Sequence, residues 1–199
     1  MPPRTPSGSR LPLFTPTNSI PTLLWSQSIN VFDWYRDNKF SGSEEKTRMF
    51  ITLMAQYGAD VNISFSALTS GTGIMANTLD AHAVIQKVQG EKGSEMAGRV
   101  LDGLYTAYFE EGKHPSHADT LVDVCVQAGM SEEEAKETVD NRGDWTAETK
   151  RLIREQIGEG VDSVPTVRIE GRRRDLTLVG AKSVEDYVKA FVTIAKESR

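Results

Sequence analysis

Apolar positions along most of this chain recur at spacings of three and four, the signature of helices that bury one face. Phe32, Tyr35 and Phe40 begin the pattern, and Met49, Phe50, Leu53, Met54 and Tyr57 continue it to a stop at Gly58. Asn77 is placed to cap a helix through Leu79, His82, Ala83, Ile85 and Val88. A broader stripe follows at Met96, Val100, Leu101, Leu104, Tyr105, Tyr108 and Phe109, ending at Gly112. Leu121, Val122, Cys125 and Val126 mark another helix, and Ser131 with Glu134 has capping-box spacing for the next. Trp145 to Ile157 carries one more, with Leu152, Ile153 and Ile157 on one side.

The period then changes from about 3.6 to 2. Val164 to Glu170 alternates as a half-buried strand, Gly171 begins a turn, and Leu176 to Val179 returns, which predicts a β-hairpin. A last helix starts near Ser183, with Val184, Tyr187, Val188, Phe191 and Ile194 expected on its buried face. Before these elements, Val61 to Phe65 alternates briefly as an extended segment, and Leu23 to Phe32 offers one short strand. Residues 1–21 are rich in proline, serine and threonine, a composition that cannot bury enough surface to order itself and predicts a flexible tail.

Composition narrows the function. The 199 residues carry a net charge of −5, which gives no electrostatic footprint for a phosphate backbone. Arg172, Arg173 and Arg174 read as a solvated turn, and no nucleic-acid partner is expected. No apolar run approaches the roughly 18 residues of a membrane span, so no membrane partner is expected either. Prolines 2, 3, 6 and 12 break any signal-peptide core, and the expected location is cytoplasmic. Cys125 is the one cysteine in the sequence, which leaves no partner for an intramolecular disulfide and no Cys-based metal cluster. It lies mid-helix among Val122, Val124 and Val126 and reads as a small buried apolar side chain. His114 and His117 form a His-x-x-His interrupted by Pro115, without a further ligand nearby, so no metal site is expected. Ser70 to Gly73 is glycine-rich but lacks the Lys-Ser/Thr ending of a phosphate loop.

Three segments together carry a family resemblance. Val164-Pro165-Thr166, followed by strand, turn, strand, Gly180 and a terminal helix, resembles the C-terminal half of a thioredoxin fold. Asn77-Thr78-Leu79-Asp80-Ala81-His82 is similar to the Asn-Thr-x-x-Ala-His opening of a helix in the inserted domain of DsbA-like proteins. LYTAYFEEG (Leu104 to Gly112), AGMSEEEA (Ala128 to Ala135) and their spacing to VPTVRIEG agree with the same family. This branch includes thiol-disulfide oxidoreductases and is related to 2-hydroxychromene-2-carboxylate isomerases and kappa-class glutathione transferases. The resemblance implies an α/β fold: a thioredoxin-like core, incomplete at its N-terminus, with an inserted all-helical domain. The domains expected are a tail over 1–21, a core built from 22–59 and 161–199, and a helical insertion over 60–160.

The resemblance also implies where a ligand would sit. In the family the proline peptide is cis and faces the active-site thiols or glutathione. Val164 and Pro165 would present main-chain groups there. In glutathione-binding relatives the start of the last helix, here Lys182 and Ser183, receives a carboxylate of the peptide, as a helix N-terminus can. Asn77 and His82 would line an interdomain cleft, and Ser26 or Ser28 could stand where the isomerase and transferase branch places a serine. The chain departs from the oxidoreductases in having no Cys-x-x-Cys, the pair whose first thiol is activated by a helix N-terminus. No catalytic residue is therefore assigned. Three functions follow: a member of the oxidoreductase lineage that does not itself run dithiol exchange, a glutathione-dependent isomerase or transferase, or a non-catalytic binding protein. A small thiol or peptide is the expected ligand, with glutathione as the one candidate cofactor. The stretch before the helical block is too short for the family's strand, helix and second strand. Leu23 to Phe32 replaces them in part, a homodimer or other partner covers the gap, or the reading frame is a version of a longer protein.

Overall fold

The computed structural model describes residues 28–197, in two compact units over 28–149 and 150–197. The tail expected over 1–21, the strand residues Leu23 to Trp25, and Ser26 lie outside the described residues.

The first unit opens on β1 (Ile29–Asn30), which pairs antiparallel with β2 (Ile74–Met75), Ile29 opposite Met75 and Asn30 opposite Ile74. Asn30 also starts α1 (Val31–Asn38): its side-chain oxygen accepts from the Phe32 N–H at 2.9 Å, and its amide donates to the Gly71 carbonyl at 2.8 Å. Next come α2 (Glu44–Asp60), capped by Ser43, and the short α3 (Ser66–Ser70). The extended segment expected over 61–65 forms no strand, because Val61 and Ile63 bond back to Gly58 and close the end of α2.

Helices α4 (Leu79–Lys92), α5 (Ser94–Tyr105), α6 (Ala118–Gln127) and α7 (Glu132–Asp140) hold the main core. Val84, Val88, Val100, Leu121, Val124, Cys125 and Val139 are sealed from solvent there. Each such side chain contributes roughly 1.5–3 kcal/mol by leaving water. Gly103 sets the approach of α5 to α6, since a Cβ on it would stand 3.2 Å from the Val124 Cβ. Ser131 and Glu134 make the expected reciprocal capping box of α7. The division between units falls within α8 (Gly143–Gly158).

One departure from regular helix lies at the end of α5. Thr106–Glu110 continues it as a π-helical turn, in which the Glu111 N–H reaches the Thr106 carbonyl at 3.1 Å. Gly112 closes it with φ +68°, and a Cβ there would stand 3.0 Å from the Thr72 carbonyl oxygen. Gly112→Ala is therefore expected to cost about 1–2 kcal/mol or more, from left-handed strain and from that contact. Urea denaturation checks this, with a shift of midpoint at constant m.

The second unit contains the rest of α8, then β3 (Thr166–Ile169), β4 (Leu176–Val179) and α9 (Val184–Glu197). The strands form an antiparallel hairpin that pairs Val167 with Leu178 and Ile169 with Leu176 on one face. Against that face α9 packs Ala190 and Ile194. Val184, Val188 and Phe191, expected inward, are instead 74%, 53% and 57% exposed. Apolar residues occupy two sides of α9, and only the side carrying Ala190 and Ile194 meets the hairpin. In the arginine turn, Arg174 makes a two-pronged pair with Glu197 at 2.9 and 2.6 Å. Residues 28–59 fall in the first unit, where β1 pairs β2 and α2 meets α3. Among the described residues no helix is long and apolar enough to cross a membrane.

Candidate functional site

The four ligand-site residues expected from sequence come to one end of the hairpin. Thr166 is opposite Val179, so the residues before β3 and those after β4 are neighbours. The Gly180 N–H donates to the Pro165 carbonyl at 2.8 Å and clamps that end. The Val164–Pro165 peptide bond is cis. Val164 is 44% exposed, Pro165 is also exposed, and Lys182 and Ser183 lie just beyond Gly180. The Thr166 hydroxyl donates to the Ser163 carbonyl at 2.6 Å and steadies the approach to β3.

The start of α9 is already supplied with an anion. The Asp186 carboxylate accepts from the Ser183 N–H at 3.4 Å and its hydroxyl at 3.0 Å, while the Ser183 hydroxyl accepts from the Asp186 N–H at 3.2 Å. This is a closed capping box at the start of α9.

Asn77 and His82 both lie in the first unit. Asn77 builds the start of α4: its side-chain oxygen accepts from the Leu79 N–H at 2.8 Å, and its carbonyl accepts from the Ser116 hydroxyl at 2.8 Å. The Ala81 N–H in turn donates to Ser116 Oγ at 3.4 Å, which ties the Lys113–Ser116 loop to that helix start. The Asn-Thr-x-x-Ala-His motif thus has a structural account at its first residue. His82 is buried on α4, and its backbone N–H donates to the Thr78 carbonyl. His114 is buried, its Nδ1 accepts from the Ser116 N–H at 3.1 Å, and its ring stacks on His117 with centroids 4.1 Å apart. Burial, and then His117, hold the His114 pKa below the usual histidine value. Among the described residues no group of three or more His, Cys, Asp or Glu is placed to hold a metal ion. Ser28 is exposed ahead of β1, and no long helix follows it.

Cys125 sits in the core of α6 with no exposed surface. Burial pushes its thiol up to about 11.

Sequence reasoning missed a cavity of about 130 Å³ in the first unit. Tyr35 of α1, Phe50 and Met54 of α2, Phe65 beside α3, and Tyr108 and Phe109 of the π-helical turn contribute to its wall. Phe65 meets Phe109 edge-on at 5.5 Å, and Tyr35 packs on Phe50 at 4.7 Å. Burial, helped by nearby Tyr35 and opposed by a hydrogen bond from the Ala76 backbone, pushes the Tyr108 hydroxyl up to about 12. The aromatic run Tyr105, Tyr108, Phe109 was the available signal, but at helical spacing it reads as ordinary core.

The described residues thus form a helical unit and a two-stranded hairpin sealed by a C-terminal helix. The sequence matches the DSBA-like thioredoxin domain over residues 27–192, and the chain belongs to that family. Its structure is similar to the crystal structure of a probable DsbA oxidoreductase from Streptomyces coelicolor, with a TM-score of 0.71 and 18% identity. That likeness covers 86% of this chain and 70% of the other. No curated protein matches.

Proposed function

We propose that this chain is a binding protein of the DsbA lineage, which holds a small thiol or peptide at the hairpin end and does not itself carry out dithiol exchange. The observation that carries the reading is the state of the one sulfur nucleophile in these 199 residues: Cys125 is sealed in the helical core with its thiol raised to about 11. Exchange requires an accessible thiolate. By contrast, the backbone around Val164 and Pro165 is exposed and held in place by the Gly180 clamp.

Insulin reduction with dithiothreitol tests the redox half. The expected rate is that of dithiothreitol alone; acceleration by the wild type that is lost in Cys125→Ala overturns the reading. Titration with a short cysteine-containing peptide tests the other half. Amide NMR shifts are expected at Thr166, Gly180 and Ser183, and an unchanged spectrum at millimolar peptide removes the binding function.

The glutathione-dependent isomerase or transferase reading draws less support, because the Ser183 N–H and hydroxyl at the start of α9 already donate to Asp186. A non-catalytic partner role has a specific observation behind it: Val184, Val188 and Phe191 form an exposed apolar row on α9. In that reading a second copy or another chain covers the row. Light scattering that gives a monomer at high concentration removes the homodimer.

A further inference from the structure

The aromatic cavity of the first unit is independent of the hairpin and plays no part in the function proposed above. Two departures from the best-packed structure coincide at it. The wall is left unfilled, which forfeits dispersion contacts for every side chain lining it. The helix that supplies Tyr108 and Phe109 is wound as a π turn, a rare geometry concentrated at functional sites. Both of these consecutive residues line the cavity. The Ser66 hydroxyl, which donates to the Glu110 carbonyl at 2.8 Å, fastens the end of that turn to α3. Local rules broken together at one place point to a site.

The wall also states what would fit. Among the described residues its side chains are apolar or aromatic, two of them tyrosines, and none carries a charge, so an ion would lose its hydration without gaining a charged partner. An apolar cavity of about 150 Å³ takes up benzene, so about 130 Å³ suits one aromatic ring. Phe50, Phe65 and Phe109 offer faces and edges for stacking. The Ala76 backbone donates to the Tyr108 oxygen, which leaves the Tyr108 O–H as a donor.

We propose that this cavity binds a neutral single-ring aromatic molecule bearing one hydroxyl or carbonyl group, with the ring among Phe50, Phe65 and Phe109 and the oxygen on the hydroxyls of Tyr108 and Tyr35. The test uses the full chain with phenol, benzene, cyclohexanol and benzoate as probes, read by amide NMR and thermal shift. Phenol is expected to bind saturably, to shift Leu68, Ile74 and Phe109, and to raise Tm, with cyclohexanol and benzoate binding more weakly. Tyr108→Phe is expected to weaken phenol about fivefold, the worth of one neutral hydrogen bond, and to leave benzene unchanged. Leu68→Trp fills the space and is expected to abolish both; Ile74→Phe serves the same purpose where the tryptophan variant does not fold. Absence of binding by either phenol or benzene overturns the proposal. So does cyclohexanol binding as tightly as phenol, or phenol binding that persists in a folded, filled variant.

Discussion

At pH 8 a small aromatic disulfide reagent is expected to label Cys125 at least about a hundredfold more slowly in the folded protein than after unfolding in guanidinium. The reacting species is the thiolate. Raising the pKa from 9.0 to about 11 lowers the thiolate fraction at pH 8 by about a hundredfold. A more basic thiolate is intrinsically a better nucleophile, which returns part of this factor. Complete burial between Leu121, Val124 and the rest of the helical core more than restores it, because the reagent cannot reach sulfur without local opening. Rapid labelling of the native protein would show α6 opening readily and would remove the basis for redox inertness. The same shift has a pH consequence with a definite sign. A folded pKa above the unfolded one stabilises the native state below about pH 9, and this contribution is lost as pH rises through about 11. Loss of the full shift amounts to about 3 kcal/mol. Tyr108 also titrates near 12, so the thiol's share is isolated by comparison with Cys125→Ala, whose stability is expected to fall less between pH 9 and 11.

What the sequence made legible was local. Ser131 with Glu134 is a capping pair three residues apart, and it forms as read. The alternation of Val167 and Ile169 against Leu176 and Leu178 fixes the inner face of the hairpin, because a strand has two faces and only one is uniformly apolar here. Along α9 the same reasoning fails: Val184, Val188 and Phe191 have the spacing of a buried stripe, yet spacing cannot say which of two apolar sides meets a neighbour. The π turn was hidden for a related reason, since Leu104, Tyr105, Tyr108 and Phe109 fit α-helical spacing equally well. Pairings such as Ile29 with Met75, and a cavity whose wall runs from Val31 to Phe109, join residues too distant in sequence for any local pattern to report. The ligand end of the hairpin was legible only through family resemblance.

Ile194→Ala is expected to release the hairpin, because Ile194 is one of the side chains that α9 buries against it. Among the described residues the cluster between α9 and the hairpin has three buried members, Ile169, Ala190 and Ile194, with Val167, Leu176 and Leu178 packed around them. A two-stranded hairpin alone is marginal in water, so the strands depend on the face that α9 covers. Removing three methyl or methylene groups from such a site costs about 2–4 kcal/mol. At about 1.4 kcal/mol per decade, hydrogen exchange at the β3 and β4 amides is expected to quicken by roughly 30- to 700-fold. Ile194→Val removes one methylene, costs about 0.5–1.5 kcal/mol, and is expected to quicken exchange by little more than tenfold. Gly171→Ala attacks the same contact from the turn, since its Cβ would stand 2.8 Å from Ile194 Cδ1 and collide with the Arg174 carbonyl. The peptide titration follows: Val164 and Pro165 are held at the end of this hairpin, so Ile194→Ala is expected to lose peptide binding while Ile194→Val keeps it. Unchanged exchange in Ile194→Ala would mean that contacts other than α9 hold the strands, and the ligand end would then owe its shape to them.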